Sequence, residues 1–192
     1  MRAIAICGSP RINGNTEILL SRCLDIMQQN NISGNLIRLG DKNIKPCSAC
    51  AACGKNKDKT CAIKDDDFHP VFEEMCNSDI IIVGSPVYFG SATPNLMAFL
   101  DRAGYLSRAN GNLLSRKLGG PIVVARRAGQ NFTFAQLIMW YMINDMVVPG
   151  SSYWNIAFGR TIGEALNDLE GLQTIDRFAE NLIWLAGKIF NV

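Results

Sequence analysis

Four cysteines lie within one short segment of the chain, and their spacing is typical of metal binding. They form the pattern Cys47-x2-Cys50-x2-Cys53-x7-Cys61. Three thiolates at this spacing can each bind one corner of a cubane cluster, and the last thiolate can close the fourth corner. Soft thiolate ligands favour iron–sulfur clusters or zinc over magnesium or calcium. We therefore expect these four cysteines to hold a [4Fe–4S] cluster.

Two alternatives stay open for this segment. A zinc site made only of cysteines also uses four thiolates, although it usually draws them from two separated C-x2-C pairs. The segment could also be a metal-free loop of reduced thiols, an interpretation that the lysine-rich spacer before Cys61 favours. Cys7, Cys23 and Cys76 fall on apolar faces, and we interpret them as small core residues.

A second group of polar residues follows the first apolar stretch and has the composition of a phosphate-binding loop. It reads Gly8-Ser9-Pro10-Arg11-Ile12-Asn13-Gly14-Asn15-Thr16 and leads into a predicted helix. Free N–H groups and the dipole at a helix N-terminus favour an anion. The loop matches neither the Walker A pattern nor the dinucleotide pattern. The candidate ligands of a single phosphate are Ser9, Arg11, Asn13, Asn15 and Thr16; the alternative is a tight turn whose polar residues cap the helix.

Two further turns follow the third and fourth predicted strands. They read Gly84-Ser85-Pro86-Val87-Tyr88-Phe89-Gly90-Ser91 and Arg126-Arg127-Ala128-Gly129-Gln130-Asn131. Backbone N–H groups and aromatic rings of the first turn can contact a planar ligand, and the arginines of the second can stabilise negative charge on it. The candidate contacts are Pro86, Val87, Tyr88, Phe89, Gly90, Ser91, Arg126, Arg127 and Gly129.

The elements that must position these residues alternate between strand and helix. Continuous apolar runs predict strands at 2–7, 35–39, 80–84 and 121–125 and a fifth that begins at 146–148, with helices at 16–30, 67–77, 94–108, 132–146 and 172–190. Strands that are apolar on both faces indicate a parallel sheet covered on both sides. Residues 41–66 form a long cysteine-rich loop after the second strand, so we expect its thiols at the same edge of the sheet as the other ligand-binding loops. We predict a three-layer α/β sandwich with strand order 2-1-3-4-5, in which ligands bind at the carboxyl ends of the strands.

The composition excludes several classes of protein. The chain has 192 residues, of which 48% are hydrophobic and 19% charged, and a formal net charge of +2. This suits a single domain over residues 1–192 and gives no basic face for nucleic acid. The longest apolar run, 134–148, is too short and too polar to span a membrane. Because no signal peptide is visible and the seven cysteines are an odd number, we expect a reduced, cytoplasmic protein.

The three loops resemble the NAD(P)H-dependent FMN reductase branch of the flavodoxin-like proteins. With the cysteine pattern, the chain is similar to the iron–sulfur flavoproteins within that branch, and the resemblance covers nearly the whole sequence. It implies FMN bound through the three loops and electrons taken from NAD(P)H or from a small ferredoxin-like carrier. These electrons would pass to an acceptor, by way of the cluster if it is present. The flavin N5 atom would carry the chemistry, so no side chain is assigned a catalytic role.

The resemblance also implies a homodimer or homotetramer. We interpret Trp140, Tyr141, Tyr153 and Trp154 first as core residues, and segments of this kind also build subunit contacts in the family. We interpret the acidic run 65–67 as a helix cap and His69 as a surface residue of the first helical turn.

Two other functions compete with an oxidoreductase. A non-enzymatic electron carrier of the flavodoxin type would share the fold, but flavodoxins tend to be acidic and this sequence has a pI near 8.2. A zinc-stabilised binding module would explain the cysteines but not the phosphate-binding loop.

Overall fold

The chain folds around one parallel sheet of five strands in the order β2-β1-β3-β4-β5. The structure is a computed structural model that describes residues 1–190. The strands are Arg2–Cys7 (β1), Ser33–Arg38 (β2), Ile80–Pro86 (β3), Leu118–Ala125 (β4) and Ile156–Phe158 (β5). All neighbouring strands pair in parallel, which confirms the predicted strand order and flavodoxin-like topology.

Helices cover both faces of the sheet. They are Asn15–Gln29 (α1), Ala52–Asn56 (α2), Phe68–Cys76 (α3), Pro94–Ala109 (α4), Gln130–Ile143 (α5) and Leu169–Ile189 (α6), with short 3-10 turns at Leu39–Asp41 and Glu164–Asn167. Side chains of α1 and α6 pack on one face, and those of α3, α4 and α5 pack on the other. Within β1, Ile4 and Ile6 face one layer while Ala5 and Cys7 face the opposite layer. No helix among the described residues is long and apolar enough to cross a bilayer.

The predicted elements agree with the observed ones within three residues, except for the fifth strand. We expected it to begin at 146–148, but β5 lies at Ile156–Phe158, and Val147 forms only an isolated bridge with Leu118. Pro149 has no N–H to donate to a neighbouring strand, so pairing does not continue after Val148. The chain returns to the sheet edge only after a loop.

Strand β4 begins three residues before its predicted apolar run, and its first residues include a glycine that approaches β3 closely. A Cβ atom at Gly119 would lie 1.8 Å from the carbonyl oxygen of Ile81 on β3, so only glycine fits there. The fully buried Tyr141 hydroxyl lies 3.0 Å from the carbonyl oxygens of both Ile81 and Gly120, and its single proton can be donated to either of them. Burial raises the pKa of this phenol well above its usual value.

The aromatic residues divide into two groups. Trp140 and Tyr141 are in the core as predicted. The prediction of core positions for Tyr153 and Trp154 is wrong, because their side chains are 61% and 51% exposed in the loop that precedes β5. The prediction started the fifth strand at 146–148, whereas in the structure these two residues precede that strand.

The three cysteines outside the four-cysteine pattern differ in burial. Cys7 and Cys23 are fully buried, and burial raises their thiol pKa values to about 11 and about 12. Cys76 is only half-buried at the end of α3, so its assignment to the core holds only in part.

Candidate functional site

The carboxyl ends of β1, β3 and β4 open onto one cleft, as the strand order requires. We call it the strand-end cleft. Its lining comes from three loops and from the segment after β5: Ser9, Arg11, Asn15, Thr16, Pro86, Val87, Tyr88, Val124, Arg126, Gly159 and Arg160. The sequence analysis did not identify Arg160, because the fifth strand was assigned too early in the chain.

The first loop presents hydroxyl groups and a helix N-terminus to this cleft. Ser9 and Thr16 are 4% and 2% exposed, and the Ser9 hydroxyl accepts a hydrogen bond from the Arg11 N–H at 3.2 Å. Helix α1 begins after Gly14 without a side-chain cap, so its first N–H groups are available to an anion. A Cβ atom at Gly84 would lie 2.9 Å from the Thr16 methyl group, which shows that the methyl faces the sheet.

Positive charge collects around the same cleft. Arg11, Arg126 and Arg160 line it, and no Asp or Glu of residues 1–190 does. Arg11 donates to the Arg160 carbonyl at 2.8 Å, which ties the first loop to the segment after β5. Within the described part of the chain none of the three forms a salt bridge. The cleft therefore suits an anion such as a phosphate group.

Two predicted phosphate ligands have other partners. The Asn15 amide donates to the Thr161 carbonyl at 2.8 Å, and its oxygen accepts from the Ala165 N–H at 3.3 Å. Asn13 has a left-handed backbone (φ 52°), and its N–H donates to Glu17 at 2.8 Å. The Asn15 side chain thus holds the loop in shape, whereas Asn13 contributes a backbone hydrogen bond and its exposed side chain lies outside the cleft lining.

The turn after β3 is a tight hairpin at the mouth of the cleft. Tyr88 and Ser91 exchange two backbone hydrogen bonds of 2.8 and 3.0 Å, and the central residues Phe89 and Gly90 have φ values of 52° and 79°. Two positive φ values define a type I′ turn, which strains a residue as bulky as phenylalanine. The Phe89 ring is fully exposed at the tip, and Tyr88 is 38% exposed.

Buried hydrogen bonds fix these loops relative to one another. Thr93 donates its hydroxyl to the Gly8 carbonyl at 2.8 Å, and its N–H donates to the Ser85 hydroxyl at 3.1 Å. Gln136 of α5 accepts hydrogen bonds from the Ser91 hydroxyl at 3.1 Å and from the Ala92 N–H at 3.0 Å. Sequence analysis did not identify Gln136, and a lone glutamine in a helix gives no distinctive signal.

The turn after β4 packs directly on the turn after β3. Gly129 has φ 88°, and a Cβ atom there would lie 3.0 Å from Val87 and 3.2 Å from Gly90. Arg126 lines the strand-end cleft, whereas Arg127 is exposed outside its lining. Phe89, Gly90, Ser91 and Gly129 stand beside the cleft and shape its rim.

The four cysteines of the predicted cluster line a second cavity, which we call the thiol cavity. It is bounded by Cys47, Ser48, Cys50, Ala51, Cys53, Cys61, Ala62, Ile63, Arg102, Tyr105 and Leu106. Cys47 and Cys50 are exposed, and Cys53 and Cys61 are partly buried. Across residues 1–190 no three Cys, His, Asp or Glu side chains converge closely enough to hold one metal ion. The thiols therefore surround a shared space without meeting at one point.

The backbone between the thiols is strained in a way that suits an anionic group. Ala49 and Ala51 adopt left-handed conformations with φ 53° and 56°, which cost energy for any residue with a Cβ atom. Alternation of right- and left-handed residues turns successive N–H groups toward one concave side, a geometry found at phosphate and iron–sulfur sites.

The thiols differ in their electrostatic surroundings. Hydrogen bonds from the Ala52 N–H and from Ser48 lower the pKa of Cys50, which favours the thiolate. Burial raises the pKa of Cys53, and the nearby sulfur atoms of Cys61 and Cys47 raise it further. His69 lies in the first turn of α3 as predicted, and its Nε2 atom accepts a hydrogen bond from the Cys61 N–H at 3.1 Å.

The acidic run after the cysteines forms other contacts than the predicted helix cap. The Asp66 carboxylate is completely buried and forms an ion pair with Arg102 of α4, while it also accepts the Lys45 N–H at 2.9 Å and the Phe68 N–H at 3.3 Å. Asp67 occupies the N-cap position of α3 but forms no side-chain cap; its carboxylate accepts the Asn43 N–H at 2.8 Å instead. The missed partner, Arg102, had a signal in the sequence, since it stands three residues after Phe99 on the apolar side of a predicted helix.

The thiol cavity is not at the edge of the sheet that the sequence analysis expected. The cysteine segment begins there after β2, but its thiols pack against Arg102, Tyr105 and Leu106, in the second half of α4. Helix α4 starts near the carboxyl edge at Pro94, so these residues lie roughly 12–18 Å further along the helix.

Comparison with known proteins agrees with this architecture. A family model described as NADPH-dependent FMN reductase matches residues 1–161. An iron-sulfur flavoprotein of Methanocaldococcus jannaschii is 35% identical over 181 residues, which cover 91% of each chain. An iron-sulfur flavoprotein of Methanosarcina thermophila is 32% identical over 185 residues, which cover 95% of this chain and 93% of that protein.

Solved structures give the same fold. A flavodoxin, the WrbA-like protein of Agrobacterium tumefaciens, superposes with a TM-score of 0.67 at 13% identity and covers 97% of this chain and 98% of that one. The sheet order and the strand-end cleft thus define a flavodoxin-like protein. The chain belongs to the NADPH-dependent FMN reductase family, a family of FMN-dependent oxidoreductases.

Proposed function

We propose that this protein binds FMN and a [4Fe–4S] cluster and transfers electrons from NAD(P)H, or from a small ferredoxin-like carrier, to an acceptor. The observation that carries the proposal is the presence of two distinct sites in one chain of an FMN-dependent family. One is a cationic strand-end cleft, and the other is a cavity lined by four thiols.

The residues of the strand-end cleft fit the phosphate of FMN. The hydroxyl groups of Ser9 and Thr16 and the first N–H groups of α1 supply neutral donors. Arg11 and Arg160 supply positive charge that no acidic side chain among residues 1–190 opposes within the lining. Charge-assisted hydrogen bonds of this kind are stronger than neutral ones, so the phosphate would dominate the binding energy.

The remaining lining would hold the flavin ring. Pro86, Val87 and Tyr88 form one side of the cleft, and Arg126 stands where it can stabilise negative charge at the polar edge of the ring. Bound FMN supplies a hydride acceptor at N5, and the protein supplies orientation and electrostatics.

The residues of the thiol cavity fit a cubane cluster. Four thiolates arranged around a shared space suit a body with four separate iron atoms, each of which takes one cysteine. The left-handed residues Ala49 and Ala51 alternate with the first three cysteines, and left-handed backbone of this kind occurs at anion-binding sites. The two relatives compared above carry the name iron-sulfur flavoprotein, which supports the same assignment.

We further propose a homodimer or homotetramer in the cytoplasm. Helix α5 is apolar on its outer side as well as its inner side, since Phe132, Met139, Met142 and Ile143 are each more than half exposed. A helix that is apolar all round is normally buried, and a second copy of the chain would cover this face. Seven unpaired cysteines suit a reducing compartment.

The experiment is anaerobic purification followed by an absorbance spectrum, iron and sulfide analysis, and assays of NADH and NADPH oxidation. The proposal expects flavin absorbance, about four irons per chain and steady nicotinamide oxidation. Replacement of Cys50 and Cys53 together by serine should remove the iron and leave the flavin, with Cys76→Ser as the matched control outside the thiol cavity.

The alternatives predict different results. Bound FMN without nicotinamide oxidation would indicate an electron carrier. A colourless protein with stoichiometric zinc would indicate a binding module. Full retention of iron after loss of both cysteines would contradict the ligand assignment.

A further inference from the structure

Arg102 is a charged side chain in the apolar layer between the sheet and the cysteine segment. It lies on α4, and its side chain is only 1% exposed. Its guanidinium carbon lies 4.0 Å above the ring centroid of Phe68, so the group is covered by an aromatic face. Burial of a charge in such a place is costly unless several partners compensate for it, and this indicates a specific task.

One guanidinium group holds both ends of the cysteine segment. Its Nη1 atom donates to the Lys45 carbonyl at 3.0 Å, two residues before the first cysteine of the pattern. Its Nη2 atom donates to the Ile63 carbonyl at 3.2 Å, two residues after the last one. Asp66, which is equally buried, neutralises its charge. The two ends of the cysteine segment are therefore tied to α4 by one side chain.

The same group also contacts a thiol of the cavity. The Nη2 atom lies 3.3 Å from the Sγ atom of Cys61, which is within hydrogen-bond distance for sulfur. The Nε atom is buried and has no partner among residues 1–190. Arg102 itself lines the thiol cavity. The guanidinium group thus has one N–H donor, at Nε, that no described residue accepts.

We propose that Arg102 is a positioning residue which sets the reduction potential of the cluster through its hydrogen bond to Cys61, an inference that rests on the proposed cluster. Hydrogen bonds to ligating sulfur and local net charge are two of the factors that set such potentials. A donor to Cys61 Sγ withdraws negative charge and stabilises the reduced state, which carries one more electron. Because Asp66 balances the charge of Arg102, the directional hydrogen bond is the larger contribution in the native protein.

The test compares midpoint potentials from redox titrations followed by EPR, together with iron content. The double variant Arg102→Met with Asp66→Asn removes the ion pair as a unit, which avoids a lone buried charge. We expect the double variant to retain iron and to have a lower midpoint potential. At fixed potential the ratio of oxidised to reduced cluster should rise at least tenfold, which corresponds to about 59 mV for a one-electron couple. The single variant Asp66→Asn leaves the positive charge unbalanced and should shift the potential in the opposite direction. Arg108→Met, on the exposed side of the same helix, is the control and should leave the potential unchanged.

Each other outcome has a definite meaning. A cluster in the wild-type protein with the same potential in all variants would overturn the role of Arg102 and leave the proposed function intact. Fewer than about one iron per wild-type chain after anaerobic reconstitution would overturn the cluster and this inference together. If the double variant does not fold, Arg102→Leu with Asp66→Asn removes the same donor with a different apolar side chain, and an unchanged potential in that variant would equally overturn the proposal.

Discussion

The loss of two hydroxyl groups from the strand-end cleft should weaken FMN binding by a predictable amount. Ser9 and Thr16 are 4% and 2% exposed and line the cleft beside Arg11. Each would donate to a charged phosphate oxygen, and hydrogen bonds to charged groups contribute about 1.5–3 kcal/mol. At the lower end of this range, the double variant loses about 3 kcal/mol, or roughly a hundredfold in affinity.

The substitutions are chosen so that the fold survives. Thr16→Val keeps the methyl group that faces Gly84 and removes only the hydroxyl. Ser9→Ala also releases the Arg11 N–H, whose hydrogen bond to the hydroxyl is 3.2 Å long, so its effect on stability is measured separately by urea unfolding. Ser33→Ala, at the amino end of β2 on the opposite edge of the sheet, is the matched control.

Titration of apoprotein with FMN, followed by the quenching of flavin fluorescence, gives the dissociation constants. We expect about a tenfold loss for each single variant and no change for the control. Unchanged affinity in the folded double variant would refute the assignment of the phosphate site. An equal loss for riboflavin, which has no phosphate, would show that the hydroxyl groups contact the ring instead.

Three further predictions concern assembly and stability. Sedimentation should show dimers or tetramers at micromolar concentration, and Met139→Glu should shift them toward monomers because it places a charge on the apolar face of α5; a wild-type monomer would contradict the interface. Tyr141→Phe should lower the free energy of unfolding by about 1–3 kcal/mol, because the buried carbonyl groups of Ile81 and Gly120 lose their donor; an unchanged urea midpoint would contradict this role. Burial opposes the ionisation of Asp66, but hydrogen bonds from Arg102 and the backbone outweigh it and lower the pKa of this carboxyl group. The stability that Asp66 contributes should therefore be present above its unfolded pKa of about 4. It should disappear as the pH falls through the lower pKa of the folded state. Asp66→Asn should then be destabilising at neutral pH and nearly neutral in strong acid, and a difference that does not depend on pH would refute the ionic contribution.

Most of the fold could be predicted from the sequence, because most apolar runs fitted only one kind of element, a strand or a helix. Continuous apolar runs ended by glycine marked β1 and β3, and alternation with helices fixed the parallel sheet and its order. The fifth strand was misplaced because 146–148 is as apolar as the true strand. What separates them is Pro149, whose missing N–H ends the pairing, and three-residue strands leave little periodicity to read.

Prediction of the site was limited by contacts between residues far apart in sequence. The glycine-containing turns and the cysteine pattern are each formed by residues close together in the sequence. Sequence analysis could therefore assign the turns to one site and the cysteines to another. Arg160 and Gln136 act through partners that are distant in the sequence, the first loop and the turn after β3, and nothing in their own neighbourhoods marks them. Asn15 was predicted as a phosphate ligand from its place in the loop. Its side chain instead forms hydrogen bonds with Thr161 and Ala165, which lie in the segment after β5.

The separation of the two sites bears on the path of the electrons. The thiol cavity lies against Arg102, Tyr105 and Leu106, roughly 12–18 Å along α4 from the helix start at the strand-end edge. Tyr105 lines the thiol cavity and is 52% exposed, so this side of the cavity is accessible from solvent. The tip of the turn at Phe89 is also exposed. An assembly that brings the thiol cavity of one copy against the strand-end cleft of another would shorten the path, so electron transfer between flavin and cluster is expected to depend on oligomerisation. The monomeric form of Met139→Glu tests this directly: it should bind FMN and iron but pass electrons between them slowly, whereas rapid transfer in the monomer would show that the path lies within one chain.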